Sequence, residues 1–178
     1  QLEWLRTKIL AQSGDRKTSV HVCMTVCRSY GAASIREAIE EEVKNQGLAQ
    51  EVEVRSTGCQ GMCAKAPVIA IEPMGVQYQE VNPEDAIDIV GLTLKKNQLI
   101  DRLAFEDPAA HQPIFYLNQI PFYKKQEKRV LARCGRIDPT HIEHYLSAVG
   151  YQALAKALAN LSPEDVIEEV TSAGLRGR

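Results

Sequence analysis

Two close pairs of cysteines constrain this chain more than any other feature. Cys23 and Cys27 form one C-x3-C pair, Cys59 and Cys63 form a second, and about 31 residues separate them. Each pair follows a stretch of alternating apolar residues, Val20 and Val22 before the first, Val52 and Val54 before the second. Period-two alternation predicts strands over residues 18–22 and 51–55, so both pairs sit on loops at strand ends. Four thiolates at two loop tips supply either a closed tetrahedral zinc site or a two-iron cluster with one pair per iron. The spacing alone does not choose between them. Local disulfides fit less well, because the chain has five cysteines, four of them paired on short loops. A thiol oxidoreductase wants C-x-x-C at a helix start, and neither pair has that spacing.

Paired cysteines in an otherwise ordinary chain point to metal in a reducing compartment, and the protein is read as cytoplasmic. Of the 178 residues, 44% are apolar and 25% charged, with a net charge of −2. That balance gives no global field to draw in nucleic acid or an anionic membrane. No apolar run approaches the roughly 20 residues that span a bilayer, so no direct membrane insertion is expected. The first residue is Gln and no basic-then-apolar segment follows; the natural N-terminus is expected to lie further upstream.

Residues 1–13 have helical spacing of Leu2, Leu5, Ile9 and Leu10, with Gly14 as the expected stop. A helix beginning at Ser34, with Glu37 completing a capping box, carries Ile35, Ala38, Ile39 and Val43 on one stripe and ends near Gly47. Strands over 68–71 and 76–81 flank a turn at Gly75. Asn82-Pro83-Glu84-Asp85 opens a further helix through about Leu94. The pattern is α/β, and the helix between the first two strands makes them parallel. Residues 1–95 form one domain on this reading. Residues 96–137 hold Pro108, Pro113 and Pro121 with aromatic pairs and no long periodicity. They are read as an extended connector that packs on a neighbouring surface. From 138 the pattern is helical again. Asp138-Pro139 opens a helix carrying Ile142, Tyr145, Leu146 and Val149; Gly150 interrupts it, and Leu154, Leu158 and Leu161 follow. Ser162-Pro163-Glu164-Asp165 opens another, with Val166, Ile167 and Val170 expected inside.

The second cysteine loop reads Thr57-Gly58-Cys59-Gln60-Gly61-Met62-Cys63-Ala64-Lys65-Ala66-Pro67. Gly58 and Gly61 let backbone N–H groups approach sulfur, and such bonds tune a cluster's potential. The run from Gly58 to Tyr78, with the first loop Val22 to Ala32, resembles the thioredoxin-like [2Fe–2S] ferredoxins. That family includes the small iron–sulfur subunit of bacterial complex I. The resemblance implies a thioredoxin-like fold and a [2Fe–2S] cluster on Cys23, Cys27, Cys59 and Cys63. The family usually has four residues between its first two cysteines, where this chain has three.

The remainder resembles the start of an NADH-binding flavoprotein subunit. The residues that carry this are Pro121 to Gln126, Cys134 to Pro139, Gly150 to Leu154 and Ser162 to Arg178. The two resemblances together imply a ferredoxin domain, the connector, and a helical N-terminal piece of a flavoprotein domain over 138–178. Such fusions occur in NAD-linked hydrogenases and formate dehydrogenases. Gly177 and Arg178 would then stand at the start of a flavin-binding loop. FMN, NAD(H) and a [4Fe–4S] cluster are expected in the longer polypeptide or its complex. The expected partners are other subunits of that complex, a small iron–sulfur subunit and a catalytic hydrogenase or dehydrogenase subunit. The function implied is relay of single electrons between a flavin and other redox centres. The alternative from the residues alone is a zinc-stapled thioredoxin-like interaction subunit.

Three further groups read as structural. Cys134 stands alone and is taken as a core or connector thiol. His141 and His144 lie three apart without a neighbouring ligand. Lys124, Lys125, Lys128 and Arg129 mix with Gln126 and Glu127 as a solvated or subunit-facing surface.

Overall fold

A computed structural model describes residues 1–12 and 18–177. The expected helix stop at Gly14 lies outside the described residues. The chain forms two compact units, Gln1–Gln12 with Ile142–Arg178, and Ser13–His141. Helix α1 (Leu2–Gln12) belongs to the first.

The larger unit is built on a four-stranded sheet of order β2-β1-β3-β4. β1 (Thr18–Cys23) runs parallel to β2 (Val52–Thr57), as the intervening helix requires. β3 (Ile69–Glu72) is antiparallel to both β1 and β4 (Val76–Tyr78). Helix α2 (Ala32–Asn45) links the parallel pair and buries Ala32, Ile35, Ile39 and Val43, the three- and four-residue spacing of one helix face. The capping box expected at Ser34 does not form. A short 3-10 helix, Val26–Tyr30, ends on Gly31 in the left-handed region, and α2 starts directly after it at Ala32.

The two faces of the sheet differ in chemistry. One carries Val20, Val22, Ile69, Ile71, Val76 and Tyr78, all essentially inaccessible and packed in the main core with α2. The other carries a cross-strand row, Arg55–His21–Ala70–Gln77, set by the register of all four strands. His21 and Gln77 in that row are nevertheless buried.

The second face is closed by the segment expected to be an extended connector. It contains a 3-10 turn at Asp101–Leu103, an antiparallel pair β5 (Phe105–Glu106) and β6 (Pro113–Ile114), and α4 (Pro121–Lys124). Its surface is the four-stranded sheet itself. The Gln77 N–H donates to the Phe115 carbonyl at 2.8 Å, and the Gln79 N–H to the Leu103 carbonyl at 2.9 Å. These bonds replace sheet pairing on the far side of β4, and the strand ends at Tyr78 rather than at the expected residue 81. Ile120, Tyr123 and Met62 form a second buried cluster over the polar face.

The helix expected over 82–94 has three conformations in series: a 3-10 turn at Pro83–Asp85, the single turn α3 (Ala86–Asp88), and a π-helical stretch, Ile89–Leu94. The Asn82 N–H donates to Asp85 Oδ2 at 2.8 Å, the expected cap.

The smaller unit holds α1 with α5 (Ile142–Ser147), α6 (Gln152–Asn160) and α7 (Pro163–Ser172). Within it Arg6 Nε donates to the Ser147 carbonyl at 3.2 Å and Gln152 Nε2 to Glu3 Oε2 at 3.1 Å. The helix expected from Asp138 begins at Ile142. Asp138 Oδ1 accepts from the Thr140 N–H and hydroxyl in a local turn that does not continue as helix. Ser162 and Asp165 cap α7 reciprocally, as expected. Val166, Ile167 and Val170, expected inside, are exposed, as are Leu154, Leu158 and Leu161. Two short amphipathic helices have too few facing residues to bury both of their apolar stripes.

Candidate metal centre

β1 and β2 lie side by side in parallel, so their C-terminal ends meet, and the loops that leave those ends carry the cysteines. Cys23 is the last residue of β1, and Cys27 sits in the 3-10 helix that follows. Both are about 1% exposed. Cys59 follows β2 and is half-buried; Cys63 starts the 3-10 turn Cys63–Lys65 and is exposed. All five cysteines are free thiols.

The four sulfurs interact as two pairs. Cys23 and Cys27 influence each other's ionisation, and Cys59 influences that of Cys63. Charge on Cys63 acts on Cys27, and charge on Cys23 acts on Cys63, so the pairs face each other across the loops. Among the described residues, no three His, Cys, Asp or Glu side chains converge to hold a single metal ion.

Backbone N–H groups point at the sulfurs. The Gly61 N–H donates to Cys59 Sγ at 3.2 Å. Those of Thr25 and Gln60 favour the thiolate of Cys23, and that of Val68 the thiolate of Cys27. Burial alone would raise the Cys23 thiol, but the Thr25 hydroxyl, these two N–H groups and Cys27 outweigh it and leave Cys23 below its ordinary value. Cys27 goes the other way: burial pushes it up to about 12, aided by Cys23 and Cys63 against the Val68 bond. Cys63 is raised chiefly by charge on Cys59. Two thiol pairs ringed by N–H donors, with the buried pair opposite the accessible one, are a donor set suited to an anionic sulfur cluster.

The segment after the sheet wraps the second loop. Phe122 lies over Gly61, whose φ of +95° demands glycine and whose missing Cβ would sit 3.5 Å from that ring. Gln77 Nε2 and Gln79 Nε2 both approach Met62 Sδ. Lys128 Nζ lies 3.5 Å from the Gln60 carbonyl and 5.3 Å from the centre of the Tyr123 ring. Cys134 Sγ packs against Gly58. His21 Nδ1 and Gln60 Nε2 both bond the Gly135 carbonyl, at 2.9 and 3.1 Å.

A family model for the thioredoxin-like [2Fe–2S] ferredoxins matches residues 10–93. A 2Fe–2S ferredoxin of Clostridium pasteurianum is 34% identical over 77 residues, which are 43% of this chain and 76% of that protein. The chain belongs to this family. A 2Fe–2S ferredoxin of Aquifex aeolicus is 32% identical over 78 residues, 43% of this chain and 70% of the other. The crystal structure of the wild-type thioredoxin-like [2Fe–2S] ferredoxin from Aquifex aeolicus superposes with a TM-score of 0.48 at 28% identity. It covers 51% of this chain and 97% of that one. The NADP-reducing hydrogenase subunit HndC of Solidesulfovibrio fructosivorans is 44% identical over 55 residues. Those residues are 31% of this chain but 11% of that subunit. Membership of the ferredoxin family supports a [2Fe–2S] cluster as cofactor and electron transfer as the broad role.

Gly177 is exposed with open space around it, and Arg178 lies outside the described residues. His141 precedes α5 rather than sharing a helix with His144, and its Nδ1 lies 3.3 Å from Asp138 Oδ2. Three residues around the centre escaped the sequence reading: His21, Gln60 and Tyr123. The signal for His21 was available, since an imidazole between Val20 and Val22 in a short central strand requires a polar partner on the sheet's other face. Among the described residues, no helix is long and apolar enough to cross a membrane.

Proposed function

We propose that this chain is the electron-transfer iron–sulfur module of an NADH-linked oxidoreductase complex, with Cys23, Cys27, Cys59 and Cys63 as the ligands of its [2Fe–2S] cluster. The observation that carries the ligand assignment is the pairing of the four sulfurs across two adjacent loops under converging N–H donors. When bound, the cluster accepts or donates one electron at a time. Cys23 and Cys27 hold the buried side. Cys59 and Cys63 hold the side nearer solvent, and the exposed Cys63 marks the edge over which electrons enter or leave. Backbone N–H groups at Cys59 and Cys23 stabilise negative charge on sulfur and so favour the reduced state.

The wider setting rests on the HndC likeness, a subunit of an NADP-reducing hydrogenase by its name. On that basis residues 138–178 are the helical beginning of a flavoprotein domain, and Gly177 and Arg178 lead into a flavin loop. FMN, NAD(H) and a [4Fe–4S] cluster belong to the longer polypeptide or complex, together with a small iron–sulfur subunit and a catalytic hydrogenase or dehydrogenase subunit. Domain limits of 1–95, 96–137 and 138–178 go with this reading. Five free thiols suit a reducing, cytoplasmic setting.

The test is iron and acid-labile sulfide per chain on anaerobically purified protein, with EPR after dithionite reduction. Two irons, two sulfides and a rhombic signal are expected. Zinc without sulfide would overturn the reading. In the intact complex, NADH should reduce the cluster only when FMN is present; reduction indifferent to flavin would remove the flavin relay.

A further inference from the structure

Gln60 is held through both its side chain and its backbone. It lies between the ligand Cys59 and Gly61, with its side chain 4% exposed. Its Nε2 donates to the Gly135 carbonyl at 3.1 Å, and Lys128 Nζ approaches its own carbonyl at 3.5 Å. The N–H of the next residue, Gly61, donates to Cys59 Sγ at 3.2 Å. The Gly135 carbonyl uses both of its lone pairs, accepting from Gln60 and, at 2.9 Å, from His21 Nδ1. A carbonyl only accepts, so Nδ1 carries a proton here, and the Ser19 hydroxyl bonds Nε2 at 2.8 Å. Gly135 has φ +79°, and a Cβ there would fall 2.5 to 2.6 Å from the Gln60 amide atoms. Any side chain at Gly135 therefore evicts Gln60 from this position.

We propose that the Gly135 carbonyl, bonded by His21 and Gln60, is a latch that fixes the second cysteine loop, and with it the Gly61 N–H on the Cys59 sulfur, and thereby sets the reduction potential of the cluster. The inference rests on the [2Fe–2S] reading and adds three positioning residues, none of them a ligand. The added electron resides partly on sulfur, so an N–H···S bond is stronger in the reduced state and its presence raises the potential. The latch joins three distant parts of the chain: β1 through His21, the second cysteine loop through Gln60, and the wrapping segment through Gly135. Their mutual fixation, and not the loop's own sequence, decides where the N–H points.

The experiment is a potentiometric titration of the full chain carrying its cluster, read by visible absorption and EPR. It compares wild type with Gly135→Ala and Gln60→Leu. Both variants keep the four cysteines, and Gln60→Leu keeps Gly61 and its N–H while removing the anchor of the loop. The expected result is two irons and two sulfides retained, altered g-values and a more negative midpoint. At a fixed solution potential the reduced-to-oxidised ratio should fall roughly three- to tenfold, the upper figure being about 59 mV for one electron. Unchanged potential and spectrum in both variants would overturn the latch. Should Gly135→Ala fail to fold, Gln60→Leu, which leaves the glycine backbone untouched, decides in the same terms. A wild-type chain without iron and sulfide would remove the cluster reading and this inference together, before any variant is made.

Discussion

Gln77 Nε2 donates to the Tyr123 hydroxyl at 3.3 Å, joining the middle of β4 to the short helix that closes the sheet's polar face. Tyr123 is buried there beside the cysteines. Burial is the main cause that pushes its hydroxyl up to about 12, with charge on Cys59, Cys23 and Cys27 adding to it and the Gln77 bond opposing. A folded value above the ordinary one near 10 means that the neutral phenol is the favoured form. Its contribution to stability is whole below about pH 10 and is lost as pH rises towards about 12. Ultraviolet titration of folded protein should show tyrosinate forming late, and Tyr123→Phe should remove that late step. Tyr78, also raised by burial, should keep its own delayed ionisation in that variant.

The ligand assignment predicts that Cys23→Ser, Cys27→Ser, Cys59→Ser and Cys63→Ser each abolish or reshape the visible spectrum. Cys134→Ser should leave it intact, because that sulfur packs on Gly58 and, among the described residues, shares no hydrogen bond with the four. Absorbance and iron content of the five purified variants check this. A spectrum that survives in both Cys59→Ser and Cys63→Ser would exclude the second pair.

Tyr78 is wholly buried and organises the chain beyond the sheet. The Ile100 N–H donates to its hydroxyl at 3.2 Å; the hydroxyl donates to Thr93 Oγ1 at 2.7 Å; Thr93 donates to the Gln98 carbonyl at 3.1 Å. Tyr78→Phe strips one partner each from the Ile100 N–H and Thr93. The cost expected is about 1–3 kcal/mol, seen as a lower urea midpoint at unchanged slope. A midpoint equal to wild type would show that the network carries no net stability.

Gly61→Ala tests the backbone of the second loop. Its Cβ would meet Phe122 at an ordinary 3.5 Å, so the penalty is conformational, from φ +95°. About 1–2 kcal/mol is expected, or a fall in Tm of roughly 2–8 °C for a chain of this size. The Gly61 N–H also bonds Cys59 Sγ, so the EPR line shape should shift with it.

The four thiols, the parallel pairing of β1 with β2 and the buried stripe of α2 were all legible in the sequence. Each rests on local periodicity or short spacing: Val20 and Val22 two apart, Ile35 and Ile39 four apart, cysteines at strand ends. Those signals come from backbone geometry within a few residues and need no knowledge of distant partners. Residues 96–137 carried no such signal. Their place depends on the polar row Arg55–His21–Ala70–Gln77, which exists only once four strands from separate parts of the chain are in register.

The same limit explains the misjudged elements. Ser34 has the chemistry of a cap, but Gly31 in the left-handed region ends the preceding turn and takes that role. Val166, Ile167 and Val170 have the spacing of a buried face, yet a helix's period says only which residues share a side, not whether anything covers it. By itself, then, the sequence determined that two pairs of thiols stand at the ends of two parallel strands. Only tertiary structure decided that the later segment folds back to seal the sheet and anchor Gln60 through Gly135, because those hydrogen bonds join residues far apart in the chain and leave no local pattern.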